Sequence, residues 1–460
     1  MAPPVCCPND HHILATITMA LKIAICGGGI GGLALALVLK TFASPSSLIV
    51  DVYEAGEAFT EVGAGITIWQ RTRSIFESLG LSEVLKSRAY SPPFTLRKSD
   101  TKEPFAFYTM HIPNGSITLP RPDMVHLLVE GLQRDPVPWL TLNFSKRLQT
   151  YEEDESGVTL CFTDGSVSRA HVLVGADGIG SPTRKTMYAA MAARVAQSDP
   201  AEAAALLQRA QPTWTGTYAY RTLLDMAKLR AASPQNRMLN GGLMWCGTGQ
   251  HVISYPISPT AINILVFETI PGGLDKPLTG PSMTPASSQD IVRLYKDWED
   301  DLCVAMENAD NISKWAISHV RDLPRYADGR AVLLGDSAHA MSTHFGAGAG
   351  QAIEDAYILG RILTRVGVTS DNVADALQIY DKIRRPIAQK VIESSLEIGF
   401  LYELHPGYVP AGTDVERLCR GDRSELKKVT DKLQEIWSFY GNEMPERDWE
   451  RACVMFEDRA

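Results

Sequence analysis

The sequence predicts an α/β protein: a Rossmann-like dinucleotide-binding domain, interrupted by an antiparallel sheet and closed by a helical C-terminal segment. Three observations point there. Five glycines fall in six positions within Lys22–Ala36, "KIAICGGGIGGLALA", between an apolar run and an Ala/Leu-rich helical pattern. Between Thr213 and Phe267 the chain changes character, and its segments look like strands of an antiparallel sheet. Finally "RAVLLGD", Arg330–Asp336, returns to the parallel-sheet style, and helical patterns dominate thereafter.

The elements follow in order. Strand Leu21–Cys26, helix Ile30–Phe42 and strand Leu48–Glu54 make a βαβ start. After "EVGAGITIWQ" a helix runs Arg71–Leu79 and stops at Gly80. The polar, Pro-containing stretch Ser91–Pro120 predicts irregular strands, and Arg121–Arg134 predicts a helix with Pro122 in its first turn. Strands follow at "LTLNFS", "GVTLCFTDG" and "RAHVLVGADG". The alanine-rich tract Met187–Gln211 reads as an exposed helical insertion. "TGTYAYRTLL", "GGLMWCG", "HVISYPI" and "AINILVFE" supply the antiparallel sheet. A Pro/Gly/Ser-rich loop, Pro271–Ser288, precedes a helix containing "DIVRLYKDWEDDLCVAM", and Gln351–Arg365 forms an amphipathic helix. The resulting domain expectation is a dinucleotide domain at 21–90, 121–190 and 325–400, and a substrate domain at 91–120 and 210–324. A helical cap at 401–460 follows, with a disordered extension at 1–20.

Composition excludes several classes. The 460 residues are 45% hydrophobic and 21% charged, ordinary for a globular chain. Lys and Arg number 44 against 53 Asp and Glu, a net charge of −9 that offers no footprint for nucleic acid or an anionic membrane. No apolar run reaches the roughly 20 residues of a membrane helix. The eight cysteines lack metal or redox spacing and read as reduced thiols of a cytoplasmic protein. His11-His12 beside Cys6-Cys7 is read as part of a flexible tail, so no metal site is expected.

Three motifs carry chemistry. In Gly27-x-Gly29-x-x-Gly32, Gly27 allows the tight turn, Gly29 lets backbone approach phosphates, and Gly32 lets helix and strand pack closely. Glu54, at the end of the next strand, is placed to accept hydrogen bonds from an adenosine ribose. The second motif is "VLVGADGIGSPTRK", Val172–Lys185. The third, Gly329–Gly360, delivers Asp336 from a strand end and then opens a helix with Gly346, Gly348 and Gly350. A carboxylate there suits a ribityl hydroxyl, and bare amides at a helix start suit a delocalised anion. The first motif alone says only "some dinucleotide".

Together the three motifs resemble the single-component (group A) aromatic flavoprotein monooxygenases, the group of 4-hydroxybenzoate and salicylate hydroxylases. The resemblance spans about Leu21 to Ser394 and includes "YDKIRRPIAQKVIESS"; "HFGAGAGQAIEDAYIL" is most similar to the fungal salicylate hydroxylase-like and phenol-dearomatising branch. It implies the 4-hydroxybenzoate hydroxylase-like fold. It also implies tightly held, non-covalent FAD, NAD(P)H as a visiting reductant and O2 as co-substrate, with hydroxylation of a phenolic ring through a flavin hydroperoxide. On this resemblance Gly27, Gly29, Gly32 and Glu54 hold the ADP half, and Asp336 with Gly346–Gly350 holds ribityl and ring. Arg121 lies near the flavin, and Asp177 with Gly178 serves both nucleotides. One departure is that Ala340 and Met341 follow His339, where family members often carry proline.

Such chemistry needs a group that makes the ring nucleophilic. Strand alternation puts Ala219, Arg221 and Leu223 on one face, and His251, Ile253 and Tyr255 on one face of a second strand. Arg221 is a permanent cation for a phenolate or carboxylate, and His251 with Tyr255 can grip a polar group and shuttle its proton. In phenol-dearomatising relatives an Arg and a Tyr at matching positions engage the substrate oxygen, which implies that role for Arg221 and Tyr255. His344, just before the glycine loop, is a further catalytic candidate, whereas His339 reads as structural. Trp245 and Phe345 are candidate pocket aromatics or plain core. Ser337 beside His339 lacks a nucleophile-elbow pattern, so no hydrolase is inferred.

The leading expectation is decarboxylative hydroxylation of a hydroxybenzoate. Dearomatising hydroxylation of an alkyl resorcinol-type aldehyde or ketone, in fungal secondary metabolism, is the alternative. A flavin dehydrogenase or oxidase, or a non-catalytic dinucleotide binder, are the rivals. The C-terminal stretch reads as a domain cap or a homodimer contact.

Overall fold

The computed structural model describes residues 20–44, 47–59, 65–83, 94–110, 115–442 and 444–457. The N-terminal extension and the start of "EVGAGITIWQ" lie outside the described residues. The first layer is a six-stranded sheet in the order Ala327–Asp328, Ala331–Leu333, Val172–Gly175, Leu21–Cys26, Leu48–Tyr53, Leu140–Asn143. Its five inner pairings include four parallel ladders, with only the Ala327–Asp328 edge antiparallel. Ile23–Cys26 is covered on both faces, which is why it reads as an apolar run rather than an alternation. Helices Ile30–Phe42 and Gly348–Leu363 pack together on this layer. Gly360 permits the approach, since a Cβ there would meet Val38 at 2.4 Å.

The second layer is an eight-stranded sheet: Met283–Ala286, Ile312–His319, Thr213–Asp225, Ala261–Thr269, Gln250–Pro256, Gly242–Gly247, Phe94–Lys98 and Phe105–Met110. One face buries Tyr220, Trp245, Val252 and Ile264 under helices Met226–Ala232, Ser288–Tyr295 and Asp300–Glu307. The opposite face carries Ala219, Ile253, Tyr255 and Leu265. It packs toward Phe345, the long helix Val373–Tyr402 and helix Arg423–Asn442. Between the layers, Gly65–Trp69 pairs antiparallel with Ser116–Pro120.

Several elements differ from the sequence reading. The alanine-rich tract is helical, Pro182–Val195 and Pro200–Arg209, but it is not an exposed insertion. Met187, Tyr188, Met191 and Leu206 form an inward stripe in the main core, and Tyr188 Oη donates to the Arg325 carbonyl at 2.8 Å. The single helix expected after the Pro/Gly/Ser loop is two, Ser288–Tyr295 and Asp300–Glu307. Glu299 breaks it because its buried carboxylate is drawn to Arg97 (2.8 Å) and Ser99 (2.9 Å), at the end of strand Phe94–Lys98. "RAHVLVGADG" also divides: Val167–Ala170 joins a separate three-stranded sheet with Gly157–Phe162 and Leu148–Asp154, while Val172–Gly175 enters the parallel layer. Within that pattern Leu148–Asp154, whose outer residues are polar, carried no clear strand signal.

The C-terminal helix Arg423–Asn442 presents Leu426, Val429, Leu433, Ile436, Trp437 and Tyr440 as a buried stripe at helical spacing. That apolar face is spent on its own chain. Among the described residues no helix is long and apolar enough to cross a membrane.

Candidate active site

The glycine motif forms as its spacing requires. Gly27 has φ +117°, and a Cβ on Gly32 would lie 1.9 Å from the Gly27 carbonyl, so strand and helix touch backbone to backbone. At Gly29 a Cβ would meet nothing within 4 Å, leaving open space in front of a helix whose first N–H groups have no side-chain cap. Glu54 stands beside this turn, its Oε2 accepting from the Gly28 N–H at 2.8 Å and its Oε1 from the Gly56 N–H at 2.7 Å. Asp177 Oδ2 accepts from the Thr183 N–H and hydroxyl at 2.9 and 2.6 Å, whereas Oδ1 is buried without a partner. An open cradle at an uncapped helix start, flanked by two acidic groups, fits an adenine dinucleotide.

A cavity of about 310 Å³ lies between the two layers. Asp336 is exposed at its edge, and Gly346 (φ +60°), Ala347 and Gly348 form its wall at the uncapped start of helix Gly348–Leu363. Gly350 does not reach the wall. It packs against Thr72, where a Cβ would meet Oγ1 at 2.7 Å, so its small size serves packing. Behind the wall, Asp355 accepts from the Gly335 N–H at 3.0 Å and pairs with His339 and Arg384. Burial alone would raise the Asp355 carboxyl, but its pairing with His339 and Arg384 holds it below the usual range. The network runs on through Glu354 to Arg71 and Asp448, fixing the segment that presents Asp336.

On the sheet side the cavity meets Phe94, Met244, Ile253 and Leu265, with Arg121, Arg221 and Tyr255 as its polar groups. Arg221 is half-buried, stacks over Trp315 at 5.4 Å, and makes no hydrogen bond or ion pair among the described residues. Burial, and then the Arg121 charge, lower its proton affinity, and Tyr255 opposes them. Tyr255 Oη donates to the Gly65 carbonyl at 3.2 Å, and burial pushes its phenol up to about 12, so it stands as a neutral donor.

His251 is not at the cavity. It is fully buried behind it, its Nε2 3.2 Å from Nδ1 of His344 and its Nδ1 3.0 Å from Glu403 Oε1. The expected His251–Tyr255 grip on one group is therefore not what the fold builds, because His251 reaches the cavity only through His344, which lies at the wall. Glu403 also accepts from Thr269 at 2.9 Å, and its Oε2 is buried without a partner. Burial raises the Glu403 carboxyl to about 8 and lowers His251 to about 3, and it holds His344 far below its ordinary value. Chemically the three form a neutral chain along which one proton can pass.

Phe345 lines the cavity, whereas Trp245 lies on the sheet's opposite face, its indole N–H donating to Ser254 at 2.9 Å. Sequence reasoning missed Glu403, Asp355, Tyr402 and Trp437. Glu403 follows an apolar helix end with no motif around it. Trp437 is one member of a stripe that reads as plain amphipathicity.

The fold and site define a nucleotide-dependent oxidoreductase whose substrate chamber carries two arginines, Arg121 and Arg221, on its wall. The FAD binding domain family matches residues 20–245 and 282–395, and the chain belongs to that family. Salicylate hydroxylase from Pseudomonas putida is 33% identical over 410 residues, covering 85% of this chain and 88% of that protein. The 6-methylsalicylate 1-monooxygenase of Aspergillus terreus is 30% identical, covering 86% of each chain. A solved salicylate hydroxylase substrate complex superposes with a TM-score of 0.77 at 28% identity, covering 94% of this chain and 98% of that one. The protein is an FAD-dependent aromatic monooxygenase.

Proposed function

We propose that the protein hydroxylates a phenolic ring bearing a carboxylate, with loss of that carboxylate, and draws its reducing equivalents from NAD(P)H. The observation that carries this reading is Arg221, a cation at the chamber wall that makes no ion pair among the described residues. A second cation, Arg121, stands near enough to repel it, so an anionic ligand relieves both. The two salicylate-acting relatives support the hydroxybenzoate class.

When bound, FAD supplies the redox chemistry that carries electrons from the nicotinamide to oxygen. Glu54 and the Gly29 cradle hold its ADP half, and Asp336 with the Gly346–Gly348 wall holds its ribityl and ring. Arg221 holds the substrate anion, and Tyr255 donates to the same group once its hydroxyl turns from the Gly65 carbonyl. Phe94, Met244, Ile253 and Leu265 keep water away from the ring. His344 stands at the wall, backed by the neutral His251–Glu403 pair, and is placed to accept a hydrogen bond from the substrate hydroxyl.

The test is substrate-stimulated NADH and NADPH oxidation across hydroxybenzoates, alkyl resorcylaldehydes and neutral phenyl ethers. Stimulation by the hydroxybenzoates and none by the ethers is expected. Equal stimulation by ethers would remove the anion anchor. Strong stimulation by resorcylaldehydes alone would select dearomatising hydroxylation, in which Arg221 holds a phenolate.

A further inference from the structure

We propose that Asn263 is a positioning residue for Tyr255: its amide fixes the Tyr255 hydroxyl as a hydrogen-bond donor, and it keeps hold of Gly65 when that donor turns to the substrate. The proposal rests on the anion-anchor reading above and adds the residue that gives Tyr255 its direction.

Asn263 is the one polar side chain in the buried run Ile262–Phe267, and only 1% of it is exposed. An amide taken out of water at such a position is costly unless its polar atoms are used. It stands directly opposite Tyr255 on the neighbouring strand, so both side chains rise from the same face of the sheet. Its Oδ1 accepts from the Gly65 N–H at 3.2 Å. That bond decides which way round the amide lies. Nδ2 is left to donate to the Tyr255 oxygen, and it has no other partner.

Thr67, two residues beyond Gly65 on its strand, donates to the same oxygen. Burial raises the Tyr255 phenol, and these two donors with the Arg221 charge oppose it without overcoming it. With its oxygen already accepting twice, the hydroxyl is left to donate. It donates to the Gly65 carbonyl at 3.2 Å, the second backbone group of the glycine that Asn263 holds. Pro120, opposite Gly65 in the ladder, has no N–H to offer. A Cβ on Gly65 would meet Ile257 at 2.5 Å and the Tyr255 ring at 3.0 Å, so glycine is what lets the strand come this close. An anion beside Arg221 is a stronger acceptor than a carbonyl and draws the Tyr255 proton to itself. The Asn263–Gly65 bond then remains to hold the strand.

The experiment is a double-mutant cycle on the FAD-loaded enzyme: wild type, Asn263→Asp, Tyr255→Phe and the double variant. Aspartate has the shape of asparagine but, ionised, can only accept, so it keeps the Gly65 bond and captures the Tyr255 proton. Dissociation constants for salicylate are read from the perturbation of flavin absorbance, with FAD content and melting temperature as controls. Repulsion between the new carboxylate and salicylate is common to both backgrounds and cancels in the cycle. The expected result is that Asn263→Asp weakens salicylate about tenfold more in the enzyme with Tyr255 than in the Tyr255→Phe enzyme. Equal losses in the two backgrounds, or no loss in either, would overturn the positioning role and leave the Arg221–Tyr255 anchor standing. A Tyr255→Phe enzyme that binds salicylate as tightly as the wild type would overturn the Tyr255 anchor and this role with it. Should Asn263→Asp fail to fold, Asn263→Leu enters the same cycle with an expected coupling of about threefold, and additive losses there would overturn the role.

Discussion

Replacing Arg221 with methionine separates a structural arginine from a functional one. The side chain has no hydrogen bond or ion pair among the described residues to forfeit, only its stacking over Trp315 at 5.4 Å. That contact contributes about 1 kcal/mol at most, and relief from Arg121 works in the opposite direction. Arg221→Met should therefore fold, bind FAD and melt within about 3 °C of the wild type. Binding is another matter. A charge-assisted hydrogen bond contributes about 1.5–3 kcal/mol, and an anion left unpaired in this chamber adds its desolvation. The dissociation constant for salicylate should rise by roughly 30-fold or more. Flavin-difference titration of the purified FAD-loaded variant measures it, with substrate-stimulated NAD(P)H oxidation as the parallel readout. Unchanged affinity and turnover would refute the anchor. Loss of FAD with unfolding would show that the arginine supports the fold.

The remaining predictions follow from the same geometry. Gly29→Ala should fold normally but lose FAD affinity, since its methyl enters open phosphate space, whereas Gly32→Ala should fail to fold because its Cβ would sit 1.9 Å from the Gly27 carbonyl; far-UV circular dichroism and flavin content distinguish them. Burial holds the Glu403 carboxyl protonated up to about pH 8, above its unfolded value near 4.5. The native state therefore binds the extra proton between those pH values, and the wild type loses stability relative to Glu403→Gln as pH rises through that window. Urea midpoints at pH 5 and pH 8.5 test this, and parallel curves would show that Glu403 ionises freely. Tyr255→Phe removes a donor that stays neutral to about pH 12, so about tenfold weaker salicylate binding should appear equally at pH 6.5 and pH 9.

What the chain reveals of itself depends on how local each signal is. The glycine turn, its two flanking strands and the helix Ile30–Phe42 follow from contiguous residues, and the structure reproduces their bounds almost to the residue. Arg221 and Tyr255 follow from strand alternation once the sheet's inner face is known. Glu403 has no such signal, because its partner His251 is far away in sequence and only the packing of helix Val373–Tyr402 against the antiparallel sheet brings them together. The Asp355–Arg384–His339 network is equally non-local, and it is the reason His339 cannot serve the chamber. The alanine-rich tract misled because alanine is indifferent to burial, and the deciding residues are the spaced Met187, Tyr188 and Met191.

The most direct test of the central claim is the mass of the product formed from a hydroxybenzoate under heavy-isotope oxygen gas, measured alongside carbon dioxide and hydrogen peroxide. The account predicts a product that has lost carbon dioxide and carries one heavy oxygen atom, with little peroxide. Recovery of unchanged substrate, with all reducing equivalents appearing as hydrogen peroxide, would contradict it.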